Sequence, residues 1–270
     1  MADLWVSVAV LGVSVLLSEL IRSAARLFQR DYRIYLLEVA STFQLCCCTH
    51  ELKLLGDSAQ LELSYGLALT YTVTLVHLAT FQDATCNPTA ALESVCRGTR
   101  SLRAAGVLIM LQFAAAVAAQ SYVASVWSQG LSDIHLRHQS SDFRCFDPLG
   151  GTLLEAAVVE LACAFVFQAA CMHVHKLDAR LQVHFIAAVV TAAVYAGGEI
   201  SGAIFNPVLA FSVQFPCSGH TYLEYCFVYW LGPVLGVVSC ILLFEKIIPF
   251  LFGGSTAGMD VPAIQKKKTQ

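Results

Sequence analysis

Apolar residues gather into seven long runs, at 4–21, 34–49, 63–81, 102–127, 152–175, 181–198 and 223–244, separated by polar or basic stretches. Each run is near the ~20 residues that carry a helix across ~30 Å of hydrocarbon. The pattern predicts an all-α polytopic membrane protein. Between the fourth and fifth runs, Ser128 to Gly151 is polar and carries Gly130, Asp133, Asp142, Asp147 and Pro148, the make-up of a surface loop joining two halves.

The two halves resemble each other. Tyr35-Leu-Leu-Glu38-Val-Ala40-Ser-Thr-Phe43 aligns with Ala157-Val-Val-Glu160-Leu-Ala162-Cys-Ala-Phe165 at an offset of 122, and Ala84-Thr-Cys-Asn87-Pro88-Thr-Ala-Ala91 with Ala203-Ile-Phe-Asn206-Pro207-Val-Leu-Ala210 at 119. From the Glu to the Asn the gap is 49 residues in the first half and 46 in the second. With three crossings per unit the second must enter from the opposite face, so the repeats are inverted about an axis in the membrane plane. The chain then divides into an extra N-terminal apolar helix and basic linker (1–33), a first repeat (34–127), a connecting loop (128–151), a second repeat (152–248) and a disordered tail (249–270).

Asn-Pro starts a helix for a physical reason. Asn is a favoured N-cap, and Pro at the first helical position has the required φ and lacks only an N–H that would be unpaired anyway. Pro88 to Cys96 and Pro207 to Phe215 are nine residues each, about 14 Å of helix, or half a membrane. Two such half-helices entering from opposite faces can meet near the midplane, where their N-termini bring partial positive charge. If each Asn oxygen caps its own helix, its amide NH₂ turns outward as a donor. Donors from Asn87 and Asn206 on one narrow path would orient water and oppose cations.

Composition agrees. Of 270 residues, 57% are hydrophobic and only 13% charged, against ~25% charged in soluble domains. The net charge of −3 and the absence of a basic stripe give no sign of nucleic-acid binding. Thirteen of the sixteen Lys and Arg fall on one side when the seven runs cross, leaving Lys53, Arg137 and Arg144 opposite. The positive-inside rule then places the C-terminus in the cytosol and the N-terminus across the membrane. The first run lacks a positive n-region, so it reads as a retained helix rather than a cleaved signal. Most of the eleven cysteines sit in apolar runs as small hydrophobes; Cys145 and Cys217 fall on one aqueous side and could pair. No metal-ligand spacing and no cofactor or catalytic motif is present, so the reading is not an enzyme.

These residues together resemble the aquaporins, the major intrinsic protein family. The likeness runs from ~34 to ~248: the Glu38 and Glu160 helices, both Asn-Pro boxes, Ser201-Gly202-Ala203, and Val228-Tyr229-Trp230-Leu231-Gly232-Pro233. It implies a bundle of six transmembrane helices and two half-helices, behind an extra N-terminal helix. It also implies a homotetramer in the lipid bilayer and a passive channel for water and small neutral solutes such as glycerol or hydrogen peroxide. The boxes read Asn87-Pro88-Thr89 and Asn206-Pro207-Val208, and Leu209 stands where most members have arginine. Phe43 to Leu52 resembles the aquaporin-11 type of the unorthodox, super-aquaporin branch. Asn87-Pro88-Thr89 and Cys217 to Thr221 lean towards the aquaporin-12 type. That branch implies an intracellular membrane, endoplasmic reticulum or vesicle.

The resemblance places the constriction at Leu209, with Ala203, Val194, Tyr195 and Leu67 as further wall candidates. Without the arginine, cation exclusion would rest more on the helix ends, and a degenerate filter leaves open a non-conducting scaffold that retains the fold. Glu38 and Glu160 lie mid-helix, where an acid is costly; the family reading makes them structural supports for the Asn-Pro loops rather than a catalytic pair. Asp83 and Glu199 are expected at a pore mouth or bracing a loop. His77 and His184 read as hydrogen-bonded bundle histidines, with protonation gating as the alternative. Gly12, Gly232 and the alanines at 114–119 read as close helix contacts.

Overall fold

The computed structural model describes residues 2–58 and 62–253. Its helices are α1 (Ala2–Ala25), α2 (Arg30–Ser58), α3 (Leu63–Thr80), α4 (Pro88–Cys96), α5 (Leu102–Trp127), α6 (Asp133–Ser140), α7 (Leu153–His173), α8 (Ala179–Ser201) and α9 (Pro207–Val213). The chain ends in one long run: α10 (Tyr222–Cys226), α11 (Gly232–Leu242) and α12 (Ile248–Gly253), joined through π-helical turns at Phe227–Leu231 and Leu243–Ile247. Among the described residues there is no strand. The first π turn ends two residues before Pro233, whose missing N–H cannot continue the i→i−4 ladder. The helix continues to Gly253, past the start of the expected tail at 249, and the rest of that tail lies outside the described residues.

Among the described residues, five stretches are long and apolar enough to cross a membrane, namely α1, α5, α7 with its short extension to Lys176, α8 and the final run. α2 and α3 are as long as a crossing but more polar. Glu38, Gln44 and Glu51 on α2 and His77 on α3 are buried in the bundle, the position that an ionisable group inside a membrane requires.

The repeat is visible in the packing. In the first half α2 packs on α3 and α5; in the second, α7 packs on α8 and α11; α3 and α8 join the halves. Close approach between α7 and α11 needs Gly232 and Gly236. A Cβ there would lie 2.8 Å from the Ala157 carbonyl oxygen and 2.3 Å from that of Leu161. The α5 face uses Ala115, Ala116 and Ala119, all buried. Gly12 differs from expectation: a Cβ there would have nothing within 4 Å, so it makes no close contact.

α1 is not a simple apolar peg. Ser7, Ser14, Ser18 and Arg22 lie on one helical face and are fully or almost fully buried, while Trp5, Leu16 and Leu20 face out. Ser7 Oγ donates to Glu51 Oε1 at 2.6 Å, and Arg22 donates to Gln44 Oε1 at 2.7 Å and to Glu19 Oε2 at 2.9 Å. Arg22, expected in a basic linker, is therefore inside the bundle.

The connecting segment is also more than a surface loop. Ser132 caps α6 by accepting from the His135 N–H, which brings Ile134 and His135 to full burial. His135 Nε2 lies 3.2 Å from Glu51 Oε1, and Trp127 Nε1 donates to Glu51 Oε2 at 2.8 Å. Cys145 and Cys217 form a disulfide that ties this segment to the chain just after α9.

Candidate channel site

Each Asn-Pro box is held from behind by a carboxylate. Glu38, almost fully buried on α2, accepts from Thr85 N–H at 3.1 Å, Thr85 Oγ1 at 2.9 Å, Cys86 N–H at 2.6 Å and Gln112 Nε2 at 2.7 Å. Glu160, fully buried on α7, accepts from Ser201 Oγ at 2.6 Å, Ile204 N–H at 2.9 Å and Phe205 N–H. These bonds satisfy backbone N–H groups that a membrane interior would otherwise leave unpaired. They also hold Cys86 at φ 53° and Phe205 at φ 36°, left-handed conformations that cost about 1–2 kcal/mol for residues with a Cβ.

That turn presents two carbonyls to the opposite half. Asn206 Nδ2 donates to the Cys86 carbonyl at 2.7 Å, and Asn87 Nδ2 donates to the Phe205 carbonyl at 3.3 Å. Both asparagines cap their own helices. Asn87 Oδ1 accepts from Thr89 N–H at 3.0 Å and Thr89 Oγ1 at 2.9 Å, and Asn206 Oδ1 from Val208 N–H at 3.2 Å and Leu209 N–H at 3.4 Å. With the oxygens occupied and one amide hydrogen committed to the other half, each NH₂ keeps one hydrogen. The half-helices α4 and α9 thus meet head to head. α9 stops at Val213, two residues short of the nine expected.

One cavity of about 1330 Å³ reaches from Phe81, Gln82 and Gln168 at one mouth, past Asn87 and Asn206, to Lys53, Arg144 and Asp147 at the other. A model of the Major intrinsic protein family matches residues 22–244. The chain belongs to the aquaporins. Human aquaporin-11 is 36% identical over 244 residues, 90% of this chain and 89% of that protein. Mouse aquaporin-12 is 32% identical over 258 residues, 93% of this chain and 89% of that protein. These relatives place the chain in the unorthodox branch, and their similar identities do not divide it between the two types. The X-ray structure of the aquaglyceroporin from Plasmodium falciparum superposes with a TM-score of 0.59 at 15% identity, covering 82% of this chain and 98% of that one. That likeness speaks to the fold alone.

Within this aquaporin-family bundle, Leu209, Ala203, Val194 and Thr89 line the cavity, Leu209 and Ala203 as buried wall. Pro88 and Pro207 are buried at the starts of α4 and α9, off the cavity, and three further sequence candidates lie elsewhere. Tyr195 is 65% exposed on the outside of α8, because one residue on from Val194 is about 100° around the helix. Leu67 is off the cavity, and α3 contributes Thr70, Val73, Thr74, His77 and Leu78 instead. Val208 is fully buried in the apolar core rather than on the cavity wall.

Asp83 and Glu199 are exposed and do not line the cavity. His184 pairs through Nδ1 with the Tyr71 hydroxyl at 2.7 Å. His77 departs from the hydrogen-bonded reading. It stacks on Phe81 at 4.8 Å, and its buried Nε2 has no hydrogen-bond partner among the described residues.

Among the cavity-lining residues that the sequence did not mark as site residues are His50 and Lys53. His50 Nε2 lies 3.0 Å from Ser212 Oγ, and Lys53 Nζ donates to the Val213 carbonyl at 3.0 Å and to the Gln214 side chain. The available signal was the i, i+3 spacing just beyond the 34–49 run, which puts both on one face of an extended α2.

Proposed function

We propose that this multi-pass membrane channel passes water passively, and small neutral solutes such as glycerol and hydrogen peroxide with it, through the cavity between α4 and α9. The observation that carries this reading is the cavity lined by two asparagines, each bound to the other's loop and each keeping one amide hydrogen. A donor at that depth fixes a water by its oxygen, and the two helix N-termini there oppose cations. The apolar wall at Leu209 suits neutral solutes. The loop mouth carrying Lys53, Arg137 and Arg144 is assigned to the non-cytosolic side because the other Lys and Arg cluster opposite. Assembly as a homotetramer in an intracellular membrane belongs to the same proposal and rests on family resemblance.

Stopped-flow permeability of the purified protein in proteoliposomes tests the reading, with water, glycerol and hydrogen peroxide as separate solutes. Asn206→Ala removes a cavity donor and leaves the Cys86 carbonyl and two α9 N–H groups unpaired. Water flux per folded protein is expected to fall about tenfold, the equivalent of one well-placed hydrogen bond. Native protein that moves no solute faster than empty liposomes would replace the channel with a non-conducting scaffold.

A further inference from the structure

We propose that Lys53 is the charge-selective residue of this channel, supplying from α2 the fixed positive charge that Leu209 does not supply from α9; this rests on the channel reading above. A lysine at a membrane surface ordinarily swings its ammonium into water. Here the ammonium is tied down on the cavity wall. Nζ donates to the Val213 carbonyl at 3.0 Å and to Gln214 Oε1, and lies 3.6 Å from the sulfurs of both Cys145 and Cys217. Sulfur is a weak acceptor, so two of the three N–H groups have strong protein partners while the side chain lines the cavity.

The position also matters electrostatically. Val213 and Gln214 end α9, where the carbonyls carry partial negative charge and favour a cation. Lys53 therefore sits one turn, about 6 Å, beyond Leu209 towards the loop mouth. The other titratable groups lining this mouth are Asp57, Asp147, Arg137, Arg144, His50 and His138. Asp57 follows one turn later on the same face of α2 and interacts electrostatically with Lys53, while the ammonium itself is held by the Val213 carbonyl and the Gln214 side chain. A cation entering from this side meets a mouth that carries Arg137, Arg144, Asp57 and Asp147 together with the anchored ammonium. About 10 Å further on it meets the paired N-termini at Asn87 and Asn206. Two positive barriers in series replace one arginine.

The competing role is a purely structural tie across the end of α9, and two variants separate the roles. Lys53→Gln keeps amide donors for the Val213 carbonyl and removes the charge, whereas Lys53→Arg keeps the charge. Water permeability and K⁺ and H⁺ leak are measured in the same proteoliposomes. Native protein and Lys53→Arg are expected to pass water with little leak, and Lys53→Gln to raise the leak per unit of water flux at least about tenfold. Leu209→Arg added to Lys53→Gln is expected to restore exclusion. An unchanged leak-to-water ratio in Lys53→Gln, or an equal rise in Lys53→Arg, overturns the assignment while leaving the channel intact. Failure of Lys53→Gln to fold, alone or with Leu209→Arg, makes the residue a structural tie and overturns it too. Absence of water flux in native protein instead removes the channel reading on which the assignment stands.

Discussion

Glu160→Ala is expected to lower the thermal midpoint of the detergent-solubilised protein by roughly 6 °C or more, from a loss of ~3 kcal/mol or more. The carboxylate accepts from Ser201 Oγ, Ile204 N–H and Phe205 N–H in a fully buried setting. Truncation leaves all three donors without a partner, and neither lipid nor core can supply one. It also frees Phe205 from the left-handed conformation that presents its carbonyl to Asn87. Glu160→Gln replaces one acceptor oxygen with a donor facing other donors, so it should fall between native and Glu160→Ala. Equal midpoints for native and Glu160→Ala, measured by size-exclusion thermal ramp, would show that the loop holds itself.

Gly236→Val is expected to be as damaging, by overpacking rather than by lost bonds. A Cβ at Gly236 would sit 2.3 Å from the Leu161 carbonyl oxygen and 2.9 Å from the Ala164 Cβ. Backbone cannot rotate away as a side chain can, so α11 must move off α7 and open the joint that forms the second repeat. Such overpacking costs about 1–3 kcal/mol and sometimes more. Gly12→Val is the control, since nothing lies within 4 Å of a Cβ there; its midpoint should stay within about 2 °C of native, a change of about 0.5 kcal/mol. A matching drop in both variants, read as loss of the monodisperse peak on heating, would mean that the α7–α11 contact is looser than its geometry states.

Much of the architecture was legible because the membrane writes its demands into composition. Hydrocarbon admits helices of one length, so α1, α5, α7, α8 and the final run could be read from apolar length alone. The half-helices were legible through local chemistry, since Asn and Pro at a helix start have few other uses at that depth. Side-chain direction was harder. Val194 and Tyr195 are adjacent in sequence, and only the packing of α8 shows which one faces the cavity. Leu67 lost its place to Thr70 and Thr74 for the same reason. The inward polar stripe of α1 was hidden because isolated serines among leucines leave mean hydropathy high, while Glu51 and Gln44, the partners of Ser7 and Arg22, lie on another helix. The burial of His135 against Glu51 and the disulfide depend on residues brought together across 72 positions or more.

By itself the sequence determined that this is a helical membrane protein with an internal repeat and two short helices started by Asn-Pro, because these follow from local rules that every residue obeys with its near neighbours. Only the tertiary structure decided which groups meet. The hydrogen bonds that Asn87 and Asn206 each donate to the other half's loop, the anchoring of Lys53 on the end of α9 and the burial of Arg22 are contacts between distant segments, and their energies exist only once the helices have packed.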